Sequence, residues 1–213
     1  MAKVTNPLWG LSADGQIGKS IVFARWKGVR YARRYTVGSN PRTSSQMEVR
    51  NTFKWLADLY RFAPGTFRLP WEAKVRGEPL TPVNQFIKSN LIYVRGEADL
   101  SSLAVSVPVA GGLAPASGTI TGGAGSVTIA RDAPTLPPGW AVSHLVGVVI
   151  TDQVPSGLFS GVVQIGTDST SPYSVQITGL SAGDYLGSGY FVYTRDDGAL
   201  AYGAPVSSVV SVT

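Results

Sequence analysis

The sequence predicts a mainly β protein, in which a small α+β module at the N-terminal end precedes a C-terminal β-sandwich. Residues 101–213 contain seven short alternating segments divided by Gly, Pro, Asp and Ser turns, the number expected of a Greek-key sandwich. Residues 1–100 hold 16 of the 18 lysines and arginines but only 7 of the 13 acidic residues. Four of the five tryptophans lie in the same part. These asymmetries indicate two modules, residues 1–98 and 99–213.

The first module opens with a predicted arm and a β-hairpin. Asn6-Pro7, Gly10 and Asp14-Gly15 punctuate residues 1–14, which favours a flexible arm. Two β-favouring runs follow, residues 16–26 and 29–37, and the two residues between them end in Gly28, as is typical of a hairpin. Arginine falls on both faces of the second run, which is unusual for a strand that covers a private core.

A helix is predicted next, with two shorter helical pieces after it. Thr43 and Ser45 each begin a capping-box spacing, and the spacing leaves the choice between them open. Apolar residues recur at helical spacing from there to about Phe62, and Pro64-Gly65 ends the helix. The shorter pieces are placed at residues 71–76 and after Thr81-Pro82. Phe86 and Ile87 are their expected buried contacts.

The second module is predicted to contain strands only. The candidate strands are Leu103–Pro108, Ser126–Arg131, His144–Thr151, Phe159–Ile165, Tyr173–Thr178, Tyr185–Arg195 and Pro205–Val212.

The composition argues against catalysis, cofactors, metals and membranes. Cysteine is absent, and the one histidine, His144, lies in an apolar alternating run. Zinc sites and nucleophile–base triads draw on those two residue types. Gly18-Lys19-Ser20 ends like a phosphate-binding loop, but position 13 is Ala13 and a β-favouring run follows it. No apolar run approaches the length of a membrane span, and the first residues lack a secretory signal. We therefore expect no enzyme and no cofactor.

The stretch Ile177-Thr178-Gly179-Leu180-Ser181-Ala182-Gly183-Asp184-Tyr185 resembles the end of a fibronectin type III domain, an immunoglobulin-like sandwich. In such domains a leucine, a turn glycine and a tyrosine lead into the penultimate strand. The resemblance implies that Tyr185 is the corner tyrosine, whose hydroxyl bonds back to nearby backbone. It also implies that Asp196-Asp197-Gly198 is the last hairpin turn and that residues 205–212 form the closing strand.

Further motifs run through residues 15–90. They are Gly15 to Gly18, Trp26-Lys27-Gly28-x-x-Tyr31-x-Arg33, Asn40-Pro41-x-Thr43-x-x-Gln46-x-x-x-Arg50-x-x-Phe53, Trp71 with Ala73, and Asn84-x-Phe86-Ile87 with Asn90. In this order they resemble a family of phage and prophage proteins. Members of that family look like virion components or products of virion gene clusters.

Basic and aromatic residues are interleaved in the first module, and they form the candidate interface. The set comprises Arg25, Trp26, Arg30, Tyr31, Arg33, Arg34, Tyr35, Arg50, Phe53 and Trp55. Such a mixture suits a protein interface, in which Trp, Tyr and Arg serve as anchors. It also suits single-stranded nucleic acid, or a solvated basic face without a partner. Protein docking is preferred, because arginine occupies both strand faces and apolar residues are few.

The combined expectation is a virion structural protein, assembled in the host cytoplasm. A capsid decoration or minor capsid protein is the first choice, and a neck or tail component is the second. The expected partners are other virion proteins and, within the assembly, further copies of this chain. A nucleic-acid-binding protein is one alternative. Another is a glycan-binding appendage with Trp140 or Phe159 as its platform.

Overall fold

The computed structural model describes residues 2–3 (backbone only), 14–38, 40, 42–95, 100–107, 117–152 and 158–213. It divides into two compact units, Met1–Arg42 and Thr43–Thr213. The sequence places the module boundary at residues 98/99, whereas the structure groups the helices with the sandwich. The reason is physical: the helices share one apolar core with a face of the sandwich.

The first unit is a four-stranded antiparallel sheet. Its strands are Ala2–Lys3 (β1), Gly15–Ile17 (β2), Ile21–Trp26 (β3) and Val29–Arg34 (β4), in the order β1-β4-β3-β2. The predicted hairpin is β3–β4. The predicted run 16–26 is two strands, because Gly18 and Lys19 adopt φ of 52° and 55° and turn the chain. Ala2–Lys3, predicted as part of a flexible arm, pairs with β4. Residues 1 and 4–13 of that arm lie outside the described residues.

Three helices open the second unit: Ser44–Phe62 (α1), Gly65–Lys74 (α2) and Pro82–Val94 (α3). Thr43 is the N-cap of α1 but makes no side-chain capping bond, so neither predicted capping box forms. Thr81 caps α3 as predicted, its hydroxyl accepting from the Asn84 N–H at 3.4 Å. α2 is longer than the predicted 71–76 piece and contains Pro70.

Eight strands follow among the described residues. They are Gly118–Gly123 (β5), Ser126–Arg131 (β6), Trp140–Thr151 (β7), Val163–Asp168 (β8), Tyr173–Thr178 (β9), Gly183–Arg195 (β10), Leu200–Tyr202 (β11) and Val206–Val212 (β12). One sheet has the order β5-β6-β9. The other has the order β8-β7-β10-β11, with β12 also paired to β10. The mainly β fold is thereby confirmed: the described residues form three sheets and three helices, and two of the sheets enclose a core in the C-terminal part.

The predicted strand Leu103–Pro108 is absent from the residues described there, 103–107. The buried Asn90 side chain takes the place of a strand partner. Its Oδ1 accepts from the Ala104 N–H at 2.7 Å, and its Nδ2 donates to the Ala104 carbonyl at 3.2 Å. Leu103 and Val105 still pack into the core, as their apolar alternation indicates. Strand β5 was not predicted, because GTITGG carries a single large apolar residue.

The strands β7 and β10 form the middle of the larger sheet, and both faces of that sheet are buried. On one face, even-numbered residues such as Val148 and Tyr190 join the helices in a single core. On the other face, odd-numbered residues such as Val149 and Phe191 pack against β6 and β9. The second unit is therefore a three-layer body with two apolar cores, one on either side of a shared sheet.

Three glycines lie side by side across the larger sheet, on the face turned to β6 and β9. Gly147 is paired with Gly166 of β8 and with Gly189 of β10. A Cβ atom on Gly189 would lie 2.7 Å from Ile129 Cγ2, and one on Gly166 would lie 2.6 Å from Val175 Cγ1. The row therefore lets β-branched side chains of the smaller sheet approach the backbone closely.

We predict that Gly189→Ala destabilises the protein by about 1–3 kcal/mol, because the added methyl group overpacks a fully buried contact. Chemical denaturation would measure the change. Gly65→Ala is the matched control, since nothing lies within 4 Å of its added Cβ in α2. The control should leave stability unchanged or raise it slightly. Equal stabilities of the two variants would contradict the close-approach role of the glycine row.

Candidate docking surface

The β3–β4 hairpin positions most of the predicted interface residues. Lys27 and Gly28 form its turn with φ of 46° and 82°, the left-handed conformations that a tight two-residue hairpin turn requires. Trp26 and Val29 flank the turn as a cross-strand pair. Tyr35 follows β4, and its N–H donates to the Ser20 carbonyl at 2.8 Å, which continues the pairing beyond the strand.

The register of the hairpin sorts the side chains into two faces. Residues paired across strands lie on the same face of a sheet. The arginine face contains Ile17, Ile21, Phe23, Arg25, Arg30 and Arg34. The tryptophan face contains Val22, Trp26, Val29, Tyr31 and Arg33. The structure thus divides the predicted cluster in two, and it adds Ile17, Ile21 and Phe23 to one half. The Lys27-Gly28 turn was the sequence signal that could have fixed this register.

Neither face of this sheet forms a core. Among residues 14–38, 40 and 42, none is buried. Trp26 is 66% exposed, Ile17 52% and Ile21 45%. Apolar side chains normally leave water when a sheet packs against another element. The first unit therefore presents apolar surface that no residue described within it covers.

The described residues of the first unit also carry an excess of positive charge. Residues 14–38, 40 and 42 include seven lysines and arginines and one acidic residue, Asp14. Arg25 lies directly across from Arg30 in the sheet register. Like charges in opposed positions destabilise a strand pair. The ion pairs found among the described residues, Glu48–Arg95 and Arg195–Asp197, belong to the second unit.

The three remaining interface candidates lie on α1. Arg50 is exposed, and Phe53 is 48% exposed. Trp55 is 1% exposed and packs edge-to-face against Phe159, with ring centroids 5.5 Å apart. The structure therefore places Trp55 in the core rather than on a surface. Phe159 is 5% exposed and Trp140 is half-buried, so the aromatic platform of the glycan-binding alternative is not assembled on the surface.

Tyr185 lies at the start of β10, where the fibronectin resemblance places a corner tyrosine. Its hydroxyl donates to the Ser181 carbonyl at 3.1 Å. This is the bond back to upstream backbone that defines a tyrosine corner. The ring itself is buried in the core between the two sheets.

The described residues contain no group of three or more His, Asp or Glu side chains placed to hold a metal ion. Gly18-Lys19-Ser20 forms the turn between β2 and β3, so no helix follows it as in a phosphate-binding loop. His144 is half-buried in β7, with Nδ1 2.9 Å from the Ser143 hydroxyl.

No protein-family model matches the chain, and a search of curated proteins gave no match. In the part of the chain that the structure describes, no helix combines the length and apolarity needed to cross a membrane.

We predict that Trp55→Ala and Trp26→Ala differ sharply in stability. Removing the buried Trp55 ring leaves a cavity beside Phe159 and should cost about 3–5 kcal/mol. Trp26 is mainly exposed, and its removal should change stability by no more than about 0.5 kcal/mol. Urea unfolding of both variants makes the measurement. A large loss for Trp26→Ala would show that its ring is buried within the free protein.

We predict a pH dependence that originates at His144. Burial lowers the pKa of His144 below its ordinary value. The unfolded chain then binds the proton more readily than the folded chain does. Protonation of His144 therefore does not reduce the free energy of unfolding at pH values above its ordinary pKa of about 6.5. As the pH falls through that value, the free energy of unfolding decreases. Between about pH 7.5 and about pH 5, the urea concentration at the unfolding midpoint should decrease more for the wild type than for His144→Gln. Parallel behaviour of the two proteins would contradict this assignment.

Proposed function

We propose that the protein is a non-enzymatic structural component of a phage virion, which attaches through its Met1–Arg42 unit and displays its sandwich. The observation that carries the proposal is the sheet of the first unit, in which none of residues 14–38 is buried. A small sheet without a buried face is marginal in water by itself. Attachment to another subunit would cover this surface and stabilise the sheet.

The aromatic and arginine content of the sheet supports a protein partner. Trp, Tyr and Arg are the residues that most often anchor protein interfaces. Arginine also makes bidentate pairs with carboxylates, which favours an acidic docking site. The likeness of residues 15–90 to phage and prophage proteins supports a virion setting, with assembly in the host cytoplasm. Within the particle, the protein is a capsid decoration or minor capsid protein, and a neck or tail position is the second choice.

The second unit has the features of a displayed body. Its two apolar cores lie on either side of one sheet and include the helices. Such a body holds its structure by packing within itself. Attachment and display are therefore properties of different units, and a change to one can be made without loss of the other.

We predict that replacing Arg30, Arg33 and Arg34 together by alanine reduces incorporation into the particle without unfolding the second unit. The three side chains supply charge from both faces of the sheet, and the two-core body lies in the other unit. Quantifying the protein in purified particles measures incorporation. Thermal unfolding of the free protein checks the second unit, and its transition should be unchanged.

The control removes the same number of positive charges from the second unit. The control positions are exposed: Lys74 lies on α2, Arg76 follows α2, and Lys88 lies on α3. Their joint replacement by alanine should leave incorporation unchanged. If the first triple variant entered particles at the normal level, the docking proposal would fail. Equal losses for both triple variants would point to a general charge effect in place of a docking site.

A further inference from the structure

The arginine face has a composition that identifies what covers it. Three apolar residues, Ile17, Ile21 and Phe23, share this face of the sheet with Arg25, Arg30 and Arg34. We infer that this face binds an acidic, partly apolar surface of another protein, and that Arg25 and Arg30 together hold carboxylates of that surface. This inference rests on the proposed docking function and names its partner by chemistry.

The first step is the need for an anion. Arg25 and Arg30 are cross-strand partners, and opposed side chains start only about 5 Å apart at their Cβ atoms. Neither side chain belongs to an ion pair found among the described residues. A carboxylate placed between the two guanidinium groups would convert their repulsion into two charge-assisted interactions.

The second step decides between a protein and a nucleic acid. The remainder of the face is aliphatic or phenyl surface, with Ile17 52% and Ile21 45% exposed. A phosphate backbone cannot cover such surface, whereas the apolar centre of a protein interface can. Single-stranded nucleic acid instead stacks its bases on exposed aromatic rings. The most exposed aromatic ring of this sheet, that of Trp26, lies on the opposite face.

The third step is the geometry of the face. Arg34 is paired with Ile21, and Phe23 lies between Ile21 and Arg25 along β3. Positive charge therefore stands at both ends of an apolar strip. A partner of matching pattern presents an apolar centre with carboxylates on either side of it. Such complementarity sets the orientation of docking as well as its strength.

Binding of defined probes to the full-length chain tests the inference. The probes are poly-L-glutamate, a glutamate–leucine copolymer and an oligodeoxythymidine of matched charge, and affinities are measured by fluorescence anisotropy at one ionic strength. The copolymer should bind most tightly. Arg25→Gln with Arg30→Gln should weaken copolymer binding by about tenfold or more. Ile21→Gln should weaken the binding of the copolymer but not that of poly-L-glutamate.

The matched control is Lys19→Gln with Arg42→Gln. It removes the same charge, but Lys19 lies in the turn between β2 and β3, and Arg42 lies outside the strands. The control should change copolymer affinity by less than about threefold, because charges outside the contact contribute little. Tightest binding of the oligodeoxythymidine would overturn the inference in favour of nucleic acid. Equal effects of the two double variants would overturn the choice of face.

Particle incorporation of the same variants separates this inference from the proposed function. If Arg25→Gln/Arg30→Gln is lost from particles and Lys19→Gln/Arg42→Gln is retained, the inference is supported. If only the control variant is lost, docking stands but uses residues outside the arginine face, and the inference falls. If incorporation survives both of these changes and the triple alanine replacement, the docking function falls as well.

Discussion

The second unit depends on one constraint: the sheet built around β7 and β10 must be covered on both faces. Each strand alternates its apolar side chains between two cores, so Val148 and Val149 belong to different layers although they are neighbours in sequence. The smaller sheet covers one face, and the helices with residues 100–105 cover the other. A sandwich without those helices would expose Tyr190, Val192 and their neighbours to water, which explains why the compact unit begins at Thr43. The glycine row serves the same constraint, since the smaller sheet reaches the backbone of the larger one only where side chains are missing.

The sheet of the first unit differs, because neither of its faces is covered by a core. This sheet has a well-defined register and two tight turns, yet none of its residues described from 14 to 42 is buried. Backbone hydrogen bonds and the turn residues determine the path of its backbone. No core within the unit covers the side chains of its described residues. The division of charge follows the division of packing. Net positive charge concentrates in residues 1–42, which contain eight lysines and arginines and one acidic residue, whereas residues 43–213 contain ten basic and twelve acidic residues.

Sequence patterns predicted the half-buried strands well, because one covered face leaves a period of two. β6 and β9 match their predicted bounds, and both alternate buried with more exposed residues. Prediction failed where a contact with a residue distant in sequence determines the local structure or the burial of a side chain. Leu103–Pro108 alternates like a strand, but Asn90 takes its backbone bonds. Phe53 and Trp55 are equally aromatic and lie on one helix, and only the position of Phe159 shows that Trp55 is core. The candidate surface was predicted as one cluster, and its division into two faces required the pairing of Arg25 with Arg30.

The arginines that we propose bind an acidic partner also oppose the association of this sheet with a second copy of itself. An exposed sheet with apolar strips invites a second copy to stack on it or to extend its edge. Two arginine faces brought together would oppose Arg25, Arg30 and Arg34 of each copy without any acidic residue of the face between them. Such repulsion is weak at long range in salt but large at contact distance, where water is excluded. Recognition of an acidic surface and rejection of the protein's own copies thus come from the same side chains. We therefore expect any association between copies of this chain to use surfaces other than the arginine face.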